Sequence, residues 1–381
     1  MPAFEKVNKS DWLAKVEKDL KGKPLSELDW KISEDFSVSP FAHQDDRTQR
    51  HYPIGIKGNN NWRIGQEFVV DSSNVEAQNA AILAALNNGI ESPKIKITEV
   101  LSQSDIDSLF KDISVSYVAV YFSGLKNLED WQQLLKNYAL VATQHQIHSD
   151  KLFGGFHLDM DWASYSKNDF EEIAEFEELF SSIFPRYRCF YVDGTKYYKG
   201  DEHIVEELAN ITHQVASCME GLKELGYNVN KIVKKFQVGF SIGNSYLLEI
   251  AKVRAMKILF ANLGAAIEAS PLEIPCFDCY VDKQSFKVGE VESNKIRSTI
   301  SAMAAVIGAV GRLTIPPSDI DMDAESSEFN KRMSTNIQQV IKLETKMHGT
   351  SDPAAGSYYI EELTEQLAVK VWNRFVELHE A

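Results

Sequence analysis

Two residues apart in the run LFGGFHLDM, His157 and Asp159 would share one face of a strand, and an imidazole beside a carboxylate can move a proton. The same spacing also makes a hydrogen-bonded core pair, and the residues alone favour that plainer reading. Lys196 follows Gly194 and Thr195 in the sequence D-G-T-K, and a desolvated lysine there could form a Schiff base with a carbonyl substrate. Its neighbours Lys199, Asp201 and Glu202 instead describe a hydrated turn, which keeps the amine protonated. Glu67, Lys167, Asn244 and Asp278 are further polar residues at or just past the ends of apolar runs. Cys276 and Cys279 make a C-x-x-C, a spacing used by zinc and redox sites, but in the strand-like run EIPCFDCYVD residues three apart point to opposite faces. They read as reduced, buried thiols. His203 and His213, ten apart in a helical stretch, do not share a face closely enough to hold a metal, and no metal site is expected. Taken alone, these residues support no mechanism.

The elements that would position them follow a regular rhythm. Short apolar runs occupy 62–70, 94–100, 117–122, 152–160, 188–194, 236–243, 274–281 and 312–317, and each is followed by a stretch of helical period. Eight such units predict an α/β protein of the (β/α)8 TIM-barrel type, spanning 61–350, with its chemistry at the carboxyl ends of the strands. No glycine-rich dinucleotide loop or phosphate loop is present. Gly89 and Gly264 are placed as helix stops. Ahead of the barrel, 1–60 holds one helix, SDWLAKVEKDLKG, with Ser10 or Asp11 as its cap, and then an aperiodic arm carrying Trp12, Trp30 and Phe36. An arm of that length is costly to order alone, so it is expected to pack across the barrel or a partner subunit. After the barrel, 351–381 forms a turn-rich loop and a helix that lead toward a further domain, absent from the chain.

The chain of 381 residues has 40 basic and 55 acidic side chains, a net charge of −15 that repels nucleic-acid backbones and anionic lipid heads. Neither partner is expected. The N-terminus mixes charges of both signs and lacks an apolar signal core, so a cytoplasmic protein is expected.

Several segments together resemble the acyl-CoA-binding barrel of the methylmalonyl-CoA mutase family. They are W-x-I-x-Q at Trp62, Ile64 and Gln66, the run 242–263 with E-x-A-K-x-R-A at Glu249, Ala251, Lys252, Arg254 and Ala255, the runs 296–308 and 328–345, and DPAAGSYYIEELT at 352–364. The N-terminal helix looks like the start of the family's small subunit. The resemblance implies isomerisation of methylmalonyl-CoA and succinyl-CoA by a radical route in a complex that uses adenosylcobalamin. In catalytic chains of the family the substrate threads along the barrel axis.

The resemblance also assigns pocket positions, one residue at a time. The tyrosine that follows W-x-I-x-Q in catalytic chains corresponds to Glu67, the glutamine of the fourth strand to His157, and the substrate-pairing arginine after it to Lys167. The catalytic histidine corresponds to Lys196, and the His-x-Gln of the seventh strand to Asp278 and Tyr280. A carboxylate at Glu67 would repel an anionic substrate, and Lys167 lacks the bidentate fork of arginine. The pocket therefore reads as degenerate, with no catalytic and no cofactor-binding residue expected on this chain. The implied protein is the small, mainly structural subunit of a heterodimer whose large catalytic subunit carries the adenosylcobalamin. The alternatives are a stand-alone acyl-CoA-binding protein or isomerase with a repurposed pocket, and a thioester sensor or assembly factor. Large residues, among them Phe156 and Tyr280, are expected to fill the barrel axis where substrate would pass.

Overall fold

The computed structural model describes residues 7–43, 45, 59–269, 274–319 and 326–380. The arm comes first. Its helix α1 (Lys9–Asp19) is capped by Asn8, two or three residues ahead of the expected Ser10 or Asp11. The Asn8 side chain accepts the Asp11 backbone N–H at 3.0 Å, while the Asp11 carboxylate accepts that of Asn8 at 3.2 Å. Asp11 thus takes the third helical position of a capping box, which leaves the cap itself to Asn8. Two short strands, β1 (Trp30–Lys31) and β2 (Ser37–Val38), then pair antiparallel and carry Ile32, Phe36 and Val38 into the core. On the C-terminal helix, Lys370 donates to the Asp35 carbonyl at 2.6 Å and lies 5.4 Å from the Phe36 ring centre. The arm is therefore tied down within its own chain.

All eight expected strands form. They are β3 (Arg63–Val70), β4 (Ser92–Ile97), β5 (Val120–Ser123), β6 (Gly154–Asp159), β7 (Tyr187–Asp193), β8 (Phe236–Ile242), β9 (Cys276–Val281) and β10 (Arg312–Thr314). All are parallel, and β10 pairs with β3 to close the barrel. The helical layer consists of α2 (Val75–Asn87), α3 (Gln103–Leu109), α4 (Leu128–Gln144), α5 (Lys167–Ile183), α6 (Ile204–Glu224), α7 (Val229–Lys235), α8 (Tyr246–Ala266), α9 (Val291–Ile307), α10 (Glu328–Leu343) and α11 (Tyr358–His379). Side-chain caps from Ser102, Asn127, Ser166 and Ser327 start α3, α4, α5 and α10. Gly89 ends α2 with φ of +96°, as its sequence position implies. Gly264 does not end α8: it lies buried inside the helix, and Glu268, with φ of +64°, follows the true end. One interior glycine costs a helix only about 1 kcal/mol, and packing overrides that.

That packing comes from α11, whose Leu363, Leu367, Val371 and Phe375 are buried where it crosses α6 and α8. Sandwiched between the barrel and α11, α8 buries every residue from Leu248 to Ala261, its charged Glu249, Lys252, Arg254 and Lys257 included.

On each barrel strand alternate residues face the axis. On β6 these are Gly155, His157 and Asp159, so Phe156 points the other way. It packs against Phe122, Trp131, Phe180, Phe184 and Tyr187 in the helix layer, and does not block the axis as expected. Among the described residues no helix is long and apolar enough to cross a membrane.

Candidate functional site

The axis is closed by charge. Arg312, the first residue of β10, is fully buried and extends across the barrel. It donates to Asp278 Oδ1 at 2.7 Å, to Ser92 Oγ at 2.9 Å and to the Ser92 carbonyl at 3.1 Å, and it lies 5.3 Å from the Tyr121 ring centre. Gly65 makes room for it, since a Cβ there would come within 2.7 Å of the guanidinium carbon. Gly155 does the same for Gln237, whose side-chain oxygen would lie 2.3 Å from an added Cβ. Burial works against ionising Asp278, but the Arg312 guanidinium and then Lys94 hold its carboxyl below the usual range. The pair is an ion pair in the dry centre of the barrel.

Two residues farther along each strand, the next inward layer forms the floor of a cavity of about 750 Å³ at the carboxyl end of the barrel. Lys94, His157, Tyr191, Tyr280 and Thr314 belong to it. Lys94 Nζ donates to Tyr280 Oη at 2.7 Å, and Tyr280 Oη donates to Asp278 Oδ2 at 2.5 Å, which links the floor to the plug beneath. His157 stacks on Tyr191 with ring centres 3.8 Å apart and planes within 7°. Its Nε2 lies 3.3 Å from Gln237 Oε1 and 3.8 Å from Asp278 Oδ2. Burial, then the Lys94 charge, pushes the imidazole well below its ordinary pKa, so it is neutral and the contact with Asp278 is not an ion pair. With Gln237 Oε1 accepting from Nε2, Nδ1 is left as a bare acceptor.

Glu67, His157 and Tyr280 thus come together in the cavity wall, with Asp278 directly beneath. Glu67 is 3.8 Å from Lys94. Lys196 stands at the rim on the loop after β7, 41% exposed and 3.7 Å from Asp159, which lines the cavity. Burial and the nearby Asp193 raise the Asp159 carboxyl, and Lys196 opposes them. Lys167 is not part of the cavity. As the first residue of α5, just past its Ser166 cap, it projects into solvent and lies 3.9 Å from Glu171. Asn244 accepts a hydrogen bond from Ser301 and also lies outside. Cys276 lies 3.8 Å from Tyr121 Oη, Cys279 is buried, and both thiols are free. Among the described residues no three His, Cys, Asp or Glu side chains are grouped to hold a metal.

Sequence reasoning missed Lys94, Tyr191, Gln237 and Arg312, the residues that build the floor and the plug. A signal for them exists. Gln66 and Arg188 apart, the polar residues of these strands recur at alternate positions, as in Lys94 and Lys96, Tyr191 and Asp193, or Arg312 and Thr314, which marks the axial face.

A family model described as methylmalonyl-CoA mutase matches residues 98–381, about three quarters of the chain. The chain belongs to the methylmalonyl-CoA mutase family. A protein named methylmalonyl-CoA mutase small subunit from Porphyromonas gingivalis is 25% identical, over 99% of this chain and 64% of its own length. A protein named methylmalonyl-CoA mutase from Cereibacter sphaeroides is 24% identical over 95% of this chain and 57% of its own. A further small subunit, from Streptomyces virginiae, is 22% identical over 84% and 52%. The chain therefore spans between half and two thirds of the length of these relatives.

The mutase-family segments are structural staples in this member. Trp62 donates its indole N–H to Gln338 at 3.2 Å, joining β3 to α10. Arg254 pairs with Asp352 of the D-P-A-A-G loop, and Lys257 donates to the Gly308 carbonyl at 2.6 Å. Lys252, fully buried, lies 2.8 Å from Glu249 and 3.5 Å from Glu207 of α6. These contacts give the residues of the family signature a role in packing the helices on the barrel.

Proposed function

We propose that this chain is the barrel of a small, non-catalytic subunit of an adenosylcobalamin-dependent methylmalonyl-CoA mutase, which pairs with a large catalytic subunit. The observation that carries this reading is the Arg312–Asp278 plug across the barrel axis, directly under the floor made by Lys94, His157 and Tyr280. A thioester arm that threads a barrel needs a clear axis, and here an ion pair held by Ser92 and Tyr121 crosses it. Of the described residues lining the cavity, only His157 carries an imidazole, and it is enclosed between Tyr191 and Gln237. At pocket position 67 the carboxylate of Glu67 would repel an anionic substrate, which supports the same reading.

The test is co-expression with a large mutase subunit from the same genome. The expected result is a co-purifying pair that turns over methylmalonyl-CoA with added coenzyme, while this chain alone does not. Turnover by the isolated chain would overturn the reading, as would failure of the two chains to associate.

A further inference from the structure

Two neighbouring helices on the outside of the barrel turn apolar side chains to solvent at the spacing of a helix-packing seam. On α10 the outward residues Phe329, Met333, Asn336, Val340 and Leu343 are alternately four and three apart. Phe329 and Val340 are each 54% exposed and Leu343 63%. On α9 the same spacing runs through Ile296, Ile300, Met303 and Ile307, with Ile296 64% and Ile300 38% exposed. The opposite sides of both helices, Ser334, Gln338 and Ile341 on α10 and Ser298, Ala302 and Ala305 on α9, are buried. The two helices touch, and Lys295 of α9 lies 5.2 Å from the Phe329 ring centre, so the stripes form one patch. On α4, α5 and α8 a single large apolar residue is exposed, Leu140, Leu179 and Leu247, which is ordinary for a protein surface. The five exposed side chains of α9 and α10 instead leave on the order of 500 Å² of apolar surface together. That is as much as the largest patch of a typical monomer, and more than half of the roughly 800 Å² that one side of a standard interface buries.

We propose that the outer face of α9 and α10 is the surface by which this chain docks on the large mutase subunit, with Ile300 and Val340 as anchors. The occupant is a pair of helices of that subunit bearing apolar residues at the same spacing, because such a stripe takes the ridges of another helix. Two copies of this chain would bring a net charge of −15 against −15, which opposes self-association and favours a different chain. Asn336 interrupts the α10 stripe with an amide that donates to Met333 Sδ at 3.9 Å, a weak acceptor. A lone asparagine in an apolar seam fixes the register of paired helices, and its full partner is expected across the contact. The inference rests on the reading of this chain as a small subunit, and adds the surface through which it pairs.

The test is association with the large subunit from the same genome, followed by sedimentation and calorimetry. The native chain is expected to form the pair. Ile300→Glu combined with Val340→Glu, both at exposed positions and therefore expected to keep the thermal transition, should weaken it at least about 100-fold. Ile300→Val with Val340→Ile should retain it, and Leu140→Glu with Leu179→Glu, on α4 and α5, should leave it unchanged. A native pair that the Ile300→Glu and Val340→Glu variant does not weaken overturns this inference and leaves the small-subunit reading standing. Absence of a native pair overturns that reading and this inference with it. A chain that sediments by itself as a dimer, dissociated by the same double substitution, gives the surface to a second copy and overturns its assignment to the large subunit.

Discussion

At the scale of single residues, the centre of the barrel rests on Arg312 and Asp278, both fully buried. Removing one member leaves the other charged in a dry interior. Asp278→Asn is therefore expected to lower stability by about 3–5 kcal/mol, read from the urea midpoint, whereas Asp278→Leu combined with Arg312→Met should be close to neutral. The single variant tests the plug and the double variant tests the reason for it. Asp278 also sets an acid limb. Its folded pKa lies below that of the unfolded chain, so the stabilisation is present above the ordinary carboxylate range and is lost as pH falls through the depressed value. The double variant should lack this limb. Asp278 was visible in the sequence as a polar residue in an apolar run, but its partner, on another strand and 34 residues away, was not.

At the scale of elements, α6 and α8 are joined by Glu207, Glu249 and Lys252, all buried. Two carboxylates and one ammonium would leave a net buried charge of −1, and a low-dielectric site removes it by holding a proton. Burial pushes the Glu207 carboxyl up to about 8; Lys252 opposes the rise and Glu249 adds to it. Glu249 is raised as well, chiefly by burial. A raised folded pKa means that the native state binds a proton the unfolded chain has released. Stability from Glu207 is thus fully present below the unfolded value of 4.5 and is lost progressively as pH climbs to about 8. Unfolding midpoints of the native chain should fall between about pH 4.5 and about 8, and Glu207→Gln should flatten that slope while leaving the barrel folded. The E-x-A-K-x-R-A pattern was legible as a family mark. That it seals a helix between the barrel and α11 was not, because Glu207 and Asp352 are remote in sequence.

At the scale of the whole molecule, the arm and α11 are fastened to each other as well as to the barrel. Phe36, 1% exposed, is the anchor, with Lys370 reaching back to the Asp35 carbonyl. Phe36→Ala removes a large buried ring, yet the loss falls on a short peripheral unit that can open locally. The expected outcome is faster tryptic cleavage at Lys21 or Lys31 with little change in the main thermal transition. A large drop in that transition would mean that the arm folds as one unit with the barrel. The ring of eight strands was readable because alternation along strands and helical period between them are local properties, recorded residue by residue in the chain. The sequence by itself determined the barrel, its closing helices and its family. Which side chains meet on the axis, that Phe156 faces the helices while Arg312 crosses the centre, that Lys167 lies outside the cavity, and that α8 runs past Gly264 were decided only by tertiary structure. The reason is physical: strand parity, layer height and burial depend on neighbours brought together by closure of the barrel, and no local pattern fixes which distant residue will be there.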